Sequence, residues 1–204
     1  MPLTRTTKLQ AVNTMLATIG SAPVNQLIAP GAPNSADVAI AVNTLDEVSL
    51  NIQARGWHFN TEEDIPMTPD VGTKEIYISD NVVFADIERE NDLSGKYDIT
   101  VRNNKLYNRK TDSYQFDEVV KLKMVRALDW DELPQAARHY ITIRAARIFQ
   151  DRVVGSDKHH AFTQQDEFQA LGLLKKFDGD SADHSIFDNY DVYRVIDRVY
   201  PYQF

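Results

Sequence analysis

The feature that most constrains this chain is a change in hydrophobic period, from helical to strand-like and back to helical. Residues 7–55 and 134–177 carry apolar side chains at spacings of three and four, which is typical of helices that bury one face. Residues 57–126 carry short β-branched and aromatic runs separated by proline, glycine and asparagine, which is typical of strands and turns. We therefore expect the two helical stretches to form one bundle, with the middle stretch as an insertion.

The first helical stretch contains signals for two helices. Thr7, with a glutamine three residues later, forms a capping box that starts one helix, and Gly20 ends it. Asn34 or Ser35 caps a longer helix, which ends at Gly56. We expect the two helices to form an antiparallel hairpin.

The middle stretch predicts a small antiparallel sheet that is solvated on one face. Candidate strands lie at residues 75–78, 82–87, 97–101, 106–107 and 119–125. Asn103 and Asn104 tolerate the positive φ of a tight hairpin. Trp57, His58 and Phe59 have the two-residue period of a strand, so His58 is expected to point away from the aromatic side chains.

The second helical stretch begins after Pro134, since proline is tolerated in a first helical turn, and Gly155 separates its two helices. The last helix is expected to end near Phe177. The predicted fold class is α+β: an antiparallel helical bundle built from N- and C-terminal helix pairs, an inserted small antiparallel β-sheet and an extended C-terminal tail. The predicted boundaries are 1–56 with 133–177 for the bundle, 57–132 for the β-rich insertion and 178–204 for the tail.

Four arginines of the third helix lie largely away from its apolar face: Arg138, Arg144, Arg147 and Arg152. They form either an ordinary solvated face with local pairs such as Arg147 with Asp151, or a contact with acidic surface on another subunit. They are our candidates for an interface with another subunit.

The tail is acidic and turn-like to residue 189 and then rich in aromatic and β-branched residues, which disordered tails usually lack. It either folds back onto its own domain or adds as a strand to another chain. The interface candidates in the tail are Tyr190, Tyr193, Val195, Tyr200, Tyr202 and Phe204.

Composition and motifs exclude several classes of function. With no cysteine, the chain has neither disulfides nor thiolate metal sites, and a cytoplasm is its expected site of synthesis. A net charge of −8 argues against a general nucleic-acid binder, and no apolar run has the roughly 20 residues of a membrane span. No catalytic motif, metal site or cofactor site is recognised; His159-His160 and the acidic run from Asp178 to Asp183 lack the spacing of ligand sets. We expect a structural part rather than an enzyme.

One enzymatic alternative stays open in the middle stretch. Glu62, Glu63 and Asp64 could supply the two carboxylates of a glycoside hydrolase. A solvated acidic loop is the simpler interpretation of the same residues. A third hypothesis is a carbohydrate- or protein-binding module over residues 57–130, with Trp57 as its aromatic candidate.

Nearly the whole chain resembles a known family. The matching stretches are residues 11–24, 36–39, 53–63, 131–134, 140–141 and 147–152. The most specific of them is Arg55-Gly56-Trp57-His58-Phe59-Asn60. The chain is similar to the tail tubular protein A family of short-tailed bacteriophages, the head-to-tail adaptors or gatekeepers. We expect structural roles for Arg55, Gly56, Trp57, Phe59 and Pro134.

The resemblance implies an assembly and a set of partners. Adaptors of this kind are helical bundles with a β insertion that form a ring of roughly twelve copies between the portal protein and the tail nozzle, tail tubular protein B. Tail fibres are a further partner, and double-stranded DNA passes through the lumen without specific binding. The implied location is the virion tail, assembled in the host cytoplasm, with no membrane and no cofactor. Some related tail tubular proteins are described as hydrolysing polysaccharides, which keeps the hydrolase as a minor alternative.

Overall fold

The computed structural model of the protein describes residues 4–27, 36–87, 95–155 and 157–182, with the side chains of the last range from residue 165 onward. Four α-helices lie at Lys8–Thr18 (α1), Ala36–Gln53 (α2), Gln135–Val153 (α3) and Asp157–Ser181 (α4). Five strands lie at Thr61–Met67 (β1), Val82–Asp86 (β2), Ile99–Arg102 (β3), Lys105–Asn108 (β4) and Val120–Arg126 (β5). A short 3₁₀ turn at His58–Asn60 leads from α2 into β1.

The helices from the two ends of the chain share one hydrophobic core. The core takes its buried side chains from all four helices, and α3 contacts each of the other three. Its largest fully buried members include Tyr140 and Phe149 of α3, Met15 and Leu16 of α1, and Leu45 and Ile52 of α2. The expected α+β class, with an antiparallel bundle of N- and C-terminal helix pairs, is confirmed.

Local signals start α1 and end α1, α2 and α3 as expected, whereas the cap of α2 expected at Asn34 or Ser35 lies outside the described residues. The Thr7 hydroxyl accepts a hydrogen bond from the backbone N–H of Gln10, whose side chain accepts one from the Thr7 backbone. Gly20, Gly56 and Gly155 follow the ends of α1, α2 and α3, and all three have positive φ.

The β stretch has a second core between two small antiparallel sheets. The strand order is β1-β5-β2 in one sheet and β3-β4 in the other. Leu122 and Met124 of β5 and Leu106 of β4 are among the side chains that fill the space between the sheets. The expected hairpin is confirmed: Asn103 and Asn104 join β3 to β4, with φ of 50° and 58°.

Strand β1 was not expected from the sequence. Its residues Glu62, Glu63 and Asp64, predicted to form a solvated acidic loop, lie in this strand: Glu62 pairs with Met124 of β5, and Glu63 and Asp64 occupy a bulge. The loop prediction is wrong because their carboxylates meet cations that lie about sixty positions later in the chain. Asp64 has φ of 56° at a bulge, which keeps the two strands in register on either side of it.

Two further expectations need correction. The strand predicted at residues 75–78 makes only isolated bridges, at Glu75 and Tyr77. His58 lies in the 3₁₀ turn rather than on a strand, since its backbone N–H donates to the Asp178 carboxylate at 2.8 Å.

Helix α4 runs beyond its predicted end. Residues 178–181, assigned to the tail from sequence, are the last residues of this helix. The rest of the predicted tail, with its aromatic interface candidates, lies outside the described residues. The domain boundaries therefore remain predictions. Within the described part of the chain, no helix is both long and apolar enough to cross a bilayer.

Candidate interaction surfaces around the bundle–sheet junction

The bundle and the sheet are joined by one buried asparagine. Asn60 is 3% exposed, and its Nδ2 donates to the carbonyl oxygens of Gln53, at 2.9 Å, and Arg126, at 2.7 Å. Its Oδ1 accepts a hydrogen bond from the backbone N–H of Trp57 at 2.9 Å. One side chain thus connects the end of α2, the 3₁₀ turn and the end of β5.

Gln53, the last residue of α2, strengthens the same junction. Its Nε2 donates to the Leu128 carbonyl oxygen at 3.1 Å, and its Oε1 accepts from the Leu128 backbone N–H at 2.7 Å. Such a two-way amide bond holds the segment after β5 in one register against the helix. Gln53 was not singled out from the sequence, because a polar residue at the end of a helix usually faces solvent.

The aromatic residues of the resemblance motif are buried rather than displayed. Trp57 belongs to the bundle core, and its indole N–H donates to the Ile52 carbonyl oxygen at 2.8 Å. Phe59 stacks on it with ring centroids 6.5 Å apart. A sugar platform needs an exposed ring face, so this geometry removes Trp57 as a carbohydrate-binding candidate.

Gly56 allows the helix end to approach the sheet. Its φ is +71°, and a Cβ added there would lie 3.1 Å from Cγ2 of Val125 on β5. Both the backbone conformation and the close approach favour glycine. Pro134, the other structural candidate, lies directly before α3, and its carbonyl oxygen accepts from the Arg138 backbone N–H at 3.1 Å.

A surface groove of about 770 Å³ lies along this junction, and we call it the junction groove. It is lined by Ala54, Arg55, Gly56, Trp57, His58, Thr61, Glu63, Phe84, Lys123, Val125, Asp178 and Ala182. Phe84 is 48% exposed there, and Lys123 is ion-paired with Glu63 at 2.5 Å. The exposed Arg55 side chain has neither a hydrogen bond nor an ion pair with any residue that the structure describes.

The arginines of α3 make contacts within the chain. Arg138 was expected away from the apolar face, but it is 3% exposed. Its guanidinium donates to the backbone oxygens of Leu133 and Thr6, each at 2.9 Å, and of Asp131, at 2.5 Å. It therefore ties the N-terminal segment to the start of α3, and burial makes it the least suitable of the four for a subunit contact.

Two of the remaining arginines converge on one carboxylate of α4. Arg144 and Arg147 both bind Glu167, the latter at 2.5 Å, and the Glu167 side chain is almost buried. The expected pair of Arg147 with Asp151 is also present at 3.5 Å. This cluster holds α3 against α4, and no local pattern could predict it because Glu167 lies on a different helix.

Arg152 reaches the other hairpin, since it donates to the Glu47 carboxylate at 2.9 Å and to the Thr44 hydroxyl at 3.2 Å. This hydrogen bond and charge of Arg152 hold the pKa of Glu47 below its usual value. A subunit-interface role for these arginines remains a prediction.

The three carboxylates considered for hydrolysis are spread along one strand pair. Glu62 binds Arg126 at 2.7 Å, and Asp64 lies 3.4 Å from the Lys121 ammonium group. With Glu63 bound to Lys123, each carboxylate has a separate cation on β5. They act as cross-strand pairs that stabilise the sheet. Among the described residues, no three acidic or histidine side chains are grouped so that they could hold a metal ion.

Helix α4 leaves large apolar side chains in solvent. Phe168 is 77% exposed and Leu173 is 57% exposed, while Phe177 lies one turn beyond Leu173 on the same side of the helix. Phe168 lies about 140° around the helix from Leu173, so it belongs to a different side. Ala170 and Leu174, on the inner face, are buried in the bundle core. The side of α4 that carries Leu173 and Phe177 is a candidate contact for a further partner.

The chain combines a helical bundle and two small sheets with large apolar side chains in solvent, which is typical of proteins that assemble with partners. The model of the tail tubular protein family matches residues 9–184. The chain therefore belongs to the tail tubular protein family, and it is a structural component of a phage tail. Its location is accordingly the virion tail, in association with other tail components. No curated protein matches the chain.

Proposed function

We propose that this protein is the head-to-tail adaptor of a short-tailed phage. About twelve copies form a closed ring between the portal protein and the tail nozzle, and tail fibres are a further neighbour. Double-stranded DNA passes through the lumen of the ring without specific binding. The family match supports the tail location, and the surface of the chain supports the ring.

The observation that carries the ring is the exposed apolar face that Leu173 and Phe177 form on one side of α4. These two side chains leave a lone copy with apolar area that water does not favour. Removing such area from water is worth roughly 25 cal/mol per Å², so a neighbour that covers this face gains affinity. In this proposal, the face packs against the adjacent copy in the ring.

The charge of the chain suits a DNA channel. The net charge is −8 and the sequence pI is about 5.1. A basic wall would bind the phosphate backbone by releasing its counterions, and it would hold the genome in place. A wall of the same sign as DNA lets the genome slide.

The β insertion and the residues after α4 are assigned to neighbouring components. The two small sheets contact the nozzle or the next copy, and the C-terminal residues attach the ring to the portal. The chain length after the last described residue and its aromatic composition support this assignment.

Ring formation is tested with a double variant, Leu173→Asp with Phe177→Asp. Both positions are exposed, so the variant should fold, and it should fail to form rings on portal-bearing heads in negative-stain images. Val71→Asp is the matched control, because Val71 is an exposed apolar residue outside α4. Normal rings from the double variant would refute the α4 contact. Wild-type protein that does not attach to portal-bearing heads would refute the adaptor role itself.

The role of the tail is tested by deleting residues 186–204. We expect a folded monomer with impaired attachment or ring closure, as seen by circular dichroism and mass photometry with and without portal. Unchanged attachment would refute the assignment of the tail to the portal or the next copy.

A tail-associated polysaccharide hydrolase, or a carbohydrate-binding module, is the alternative. It requires sugar cleavage or binding by the wild-type protein, and cleavage should be lost in Glu62→Gln, Glu63→Gln and Asp64→Asn. If the purified protein releases no reducing sugar from capsular polysaccharide and binds none, the alternative fails.

A further inference from the structure

We propose that the junction groove is the docking site for residues 183–188 of the same chain, the six residues that follow the last described one. This inference goes beyond the adaptor role and does not depend on it. In this arrangement, the C-terminal tail leaves the body of the protein along the junction groove.

The exit point of the chain supports this occupant. Ala182, the last described residue, is itself part of the groove lining. The end of α4 is held there because the Asp178 carboxylate accepts the His58 backbone N–H. Six residues span at most about 20 Å when extended, so residues 183–188, which follow a lining residue directly, are long enough to lie along the groove.

The chemistry of the groove matches the chemistry of this segment. The groove offers the half-exposed ring of Phe84 beside the Val125 side chain and the bare backbone of Gly56. Ile186 and Phe187 are the first large apolar residues after α4. Their side chains would cover the Phe84 ring and remove it from water.

Charge complementarity points the same way. The Arg55 guanidinium on the rim is unpaired among the described residues, whereas Lys123 already has Glu63 as its partner. Asp183 and Asp188 flank the apolar pair of the segment, and no lysine or arginine lies between them. An Arg–carboxylate pair at this rim would hold the segment in one direction.

Docking of this segment has a consequence for the rest of the tail. Residues 190–204, which carry the aromatic interface candidates, would start from one defined place on the junction rather than from a free helix end. The segment would act as a fixed anchor for a part that reaches a neighbour.

Disulfide trapping tests the proposal, because the wild-type chain has no cysteine. Two double variants of the full chain are made, Phe84→Cys with Ile186→Cys and Phe84→Cys with Phe187→Cys. The control is Val71→Cys with Phe187→Cys, because Val71 is exposed and is not a lining residue of the groove. Under mild oxidation at low protein concentration, we expect at least one groove pair to form an intramolecular disulfide about tenfold faster than the control pair.

Two results would overturn the proposal. One is a rate for both groove pairs that does not exceed that of the control. The other is a disulfide between two copies, detected as a covalent dimer, which would assign the groove to the tail of a neighbour.

Swapping the charges of Arg55 and Asp188 tests the direction in which the segment docks. The changes are made in whichever groove pair of cysteines forms its disulfide faster. Arg55→Glu should slow disulfide formation several-fold, and adding Asp188→Arg should restore it. A rate that is insensitive to both changes would contradict the rim contact. Circular dichroism of each variant confirms that the fold is intact.

Discussion

Asn60→Ala should loosen the junction between bundle and sheet. The substitution removes three hydrogen bonds, to the Gln53 and Arg126 carbonyl oxygens and from the Trp57 N–H, in a site that is 3% exposed. Three backbone groups then lose a partner, and the Gln53 carbonyl oxygen keeps only the hydrogen bond from the Gly56 N–H. The effect should appear in global stability, because the side chain joins elements from both cores.

The magnitude follows from the number of groups left behind. A typical hydrogen bond contributes about 1 kcal/mol net, and a buried group without a partner costs roughly 1–3 kcal/mol. A water molecule that enters the space of the amide can satisfy one or two of the three groups. We therefore expect Asn60→Ala to lower the free energy of unfolding by about 3–4 kcal/mol.

Asn60→Asp separates hydrogen bonding from packing. The shape is kept and one carboxylate oxygen still accepts from Trp57, but the other faces two carbonyl oxygens and cannot donate to them while ionised. The buried charge raises the folded-state pKa of the new carboxyl, and such a group destabilises the fold above that pKa. We compare each variant with wild type at the same pH. At pH 7, Asn60→Asp should lose more free energy of unfolding than Asn60→Ala, and its loss should shrink as the pH falls.

The assay is equilibrium urea unfolding, followed by far-ultraviolet circular dichroism and by tryptophan fluorescence. Asn81→Ala is the control: Asn81 is exposed, and its side chain makes no hydrogen bond with any described residue, so its change should stay within about 0.5 kcal/mol. A loss below about 1 kcal/mol for Asn60→Ala, with an unchanged denaturant slope, would refute the reasoning.

Three further predictions concern stability. Glu167→Ala should lower the free energy of unfolding, measured by urea unfolding, by about 2–4 kcal/mol, since two partly buried guanidinium groups lose their partner. Glu167→Gln should lower it less, and equal losses for the two variants would contradict the role of these ion pairs. Gly56→Ala should lower the free energy of unfolding by about 1 kcal/mol more than Gly20→Ala, because both glycines have positive φ but only Gly56 lies against the sheet. Equal shifts in Tm for the two variants in thermal unfolding would exclude the close approach of Gly56 to Val125. Hydrogen bonds from Lys105 and from a tyrosine hydroxyl lower the pKa of Glu75 in the folded protein. The ionised Glu75 side chain therefore stabilises the fold fully above the ordinary pKa of 4.5, and this stabilisation is lost as the pH falls through the lower folded-state pKa. Glu75→Gln should therefore flatten the acid side of the stability profile in urea midpoints, and an unchanged slope would contradict the pairing.

Strand β1 could not be predicted from the sequence. Glu62, Glu63 and Asp64 have low strand propensity, and alone they favour a loop. They form part of a strand because the residues on either side of them pair with β5, and their carboxylates reach Arg126, Lys123 and Lys121 on that strand. The partners are 57 to 64 positions away, so no local period could reveal them.

The junction, too, could be predicted from the sequence only in part. The segment from Arg55 to Asn60 was singled out from sequence, and the structure places it at the junction of bundle and sheet. Its surroundings could not be predicted, since the groove is completed by Phe84 of β2 and by Ala182 at the end of α4. The arginines of α3 were expected to face outward, but their partners Glu167 and Glu47 lie on other helices.

The sequence by itself determined the helices, their caps and stops, and the tight hairpin. Each depends on residues within one or two turns: the capping box at Thr7, the positive φ of Gly56, the Asn103-Asn104 pair. Tertiary structure alone decided that β1 is a strand, that Arg138 is buried and that a groove lies where α4 ends. The physical reason is that burial and charge pairing depend on which distant segments meet, and local conformational preference carries no record of that.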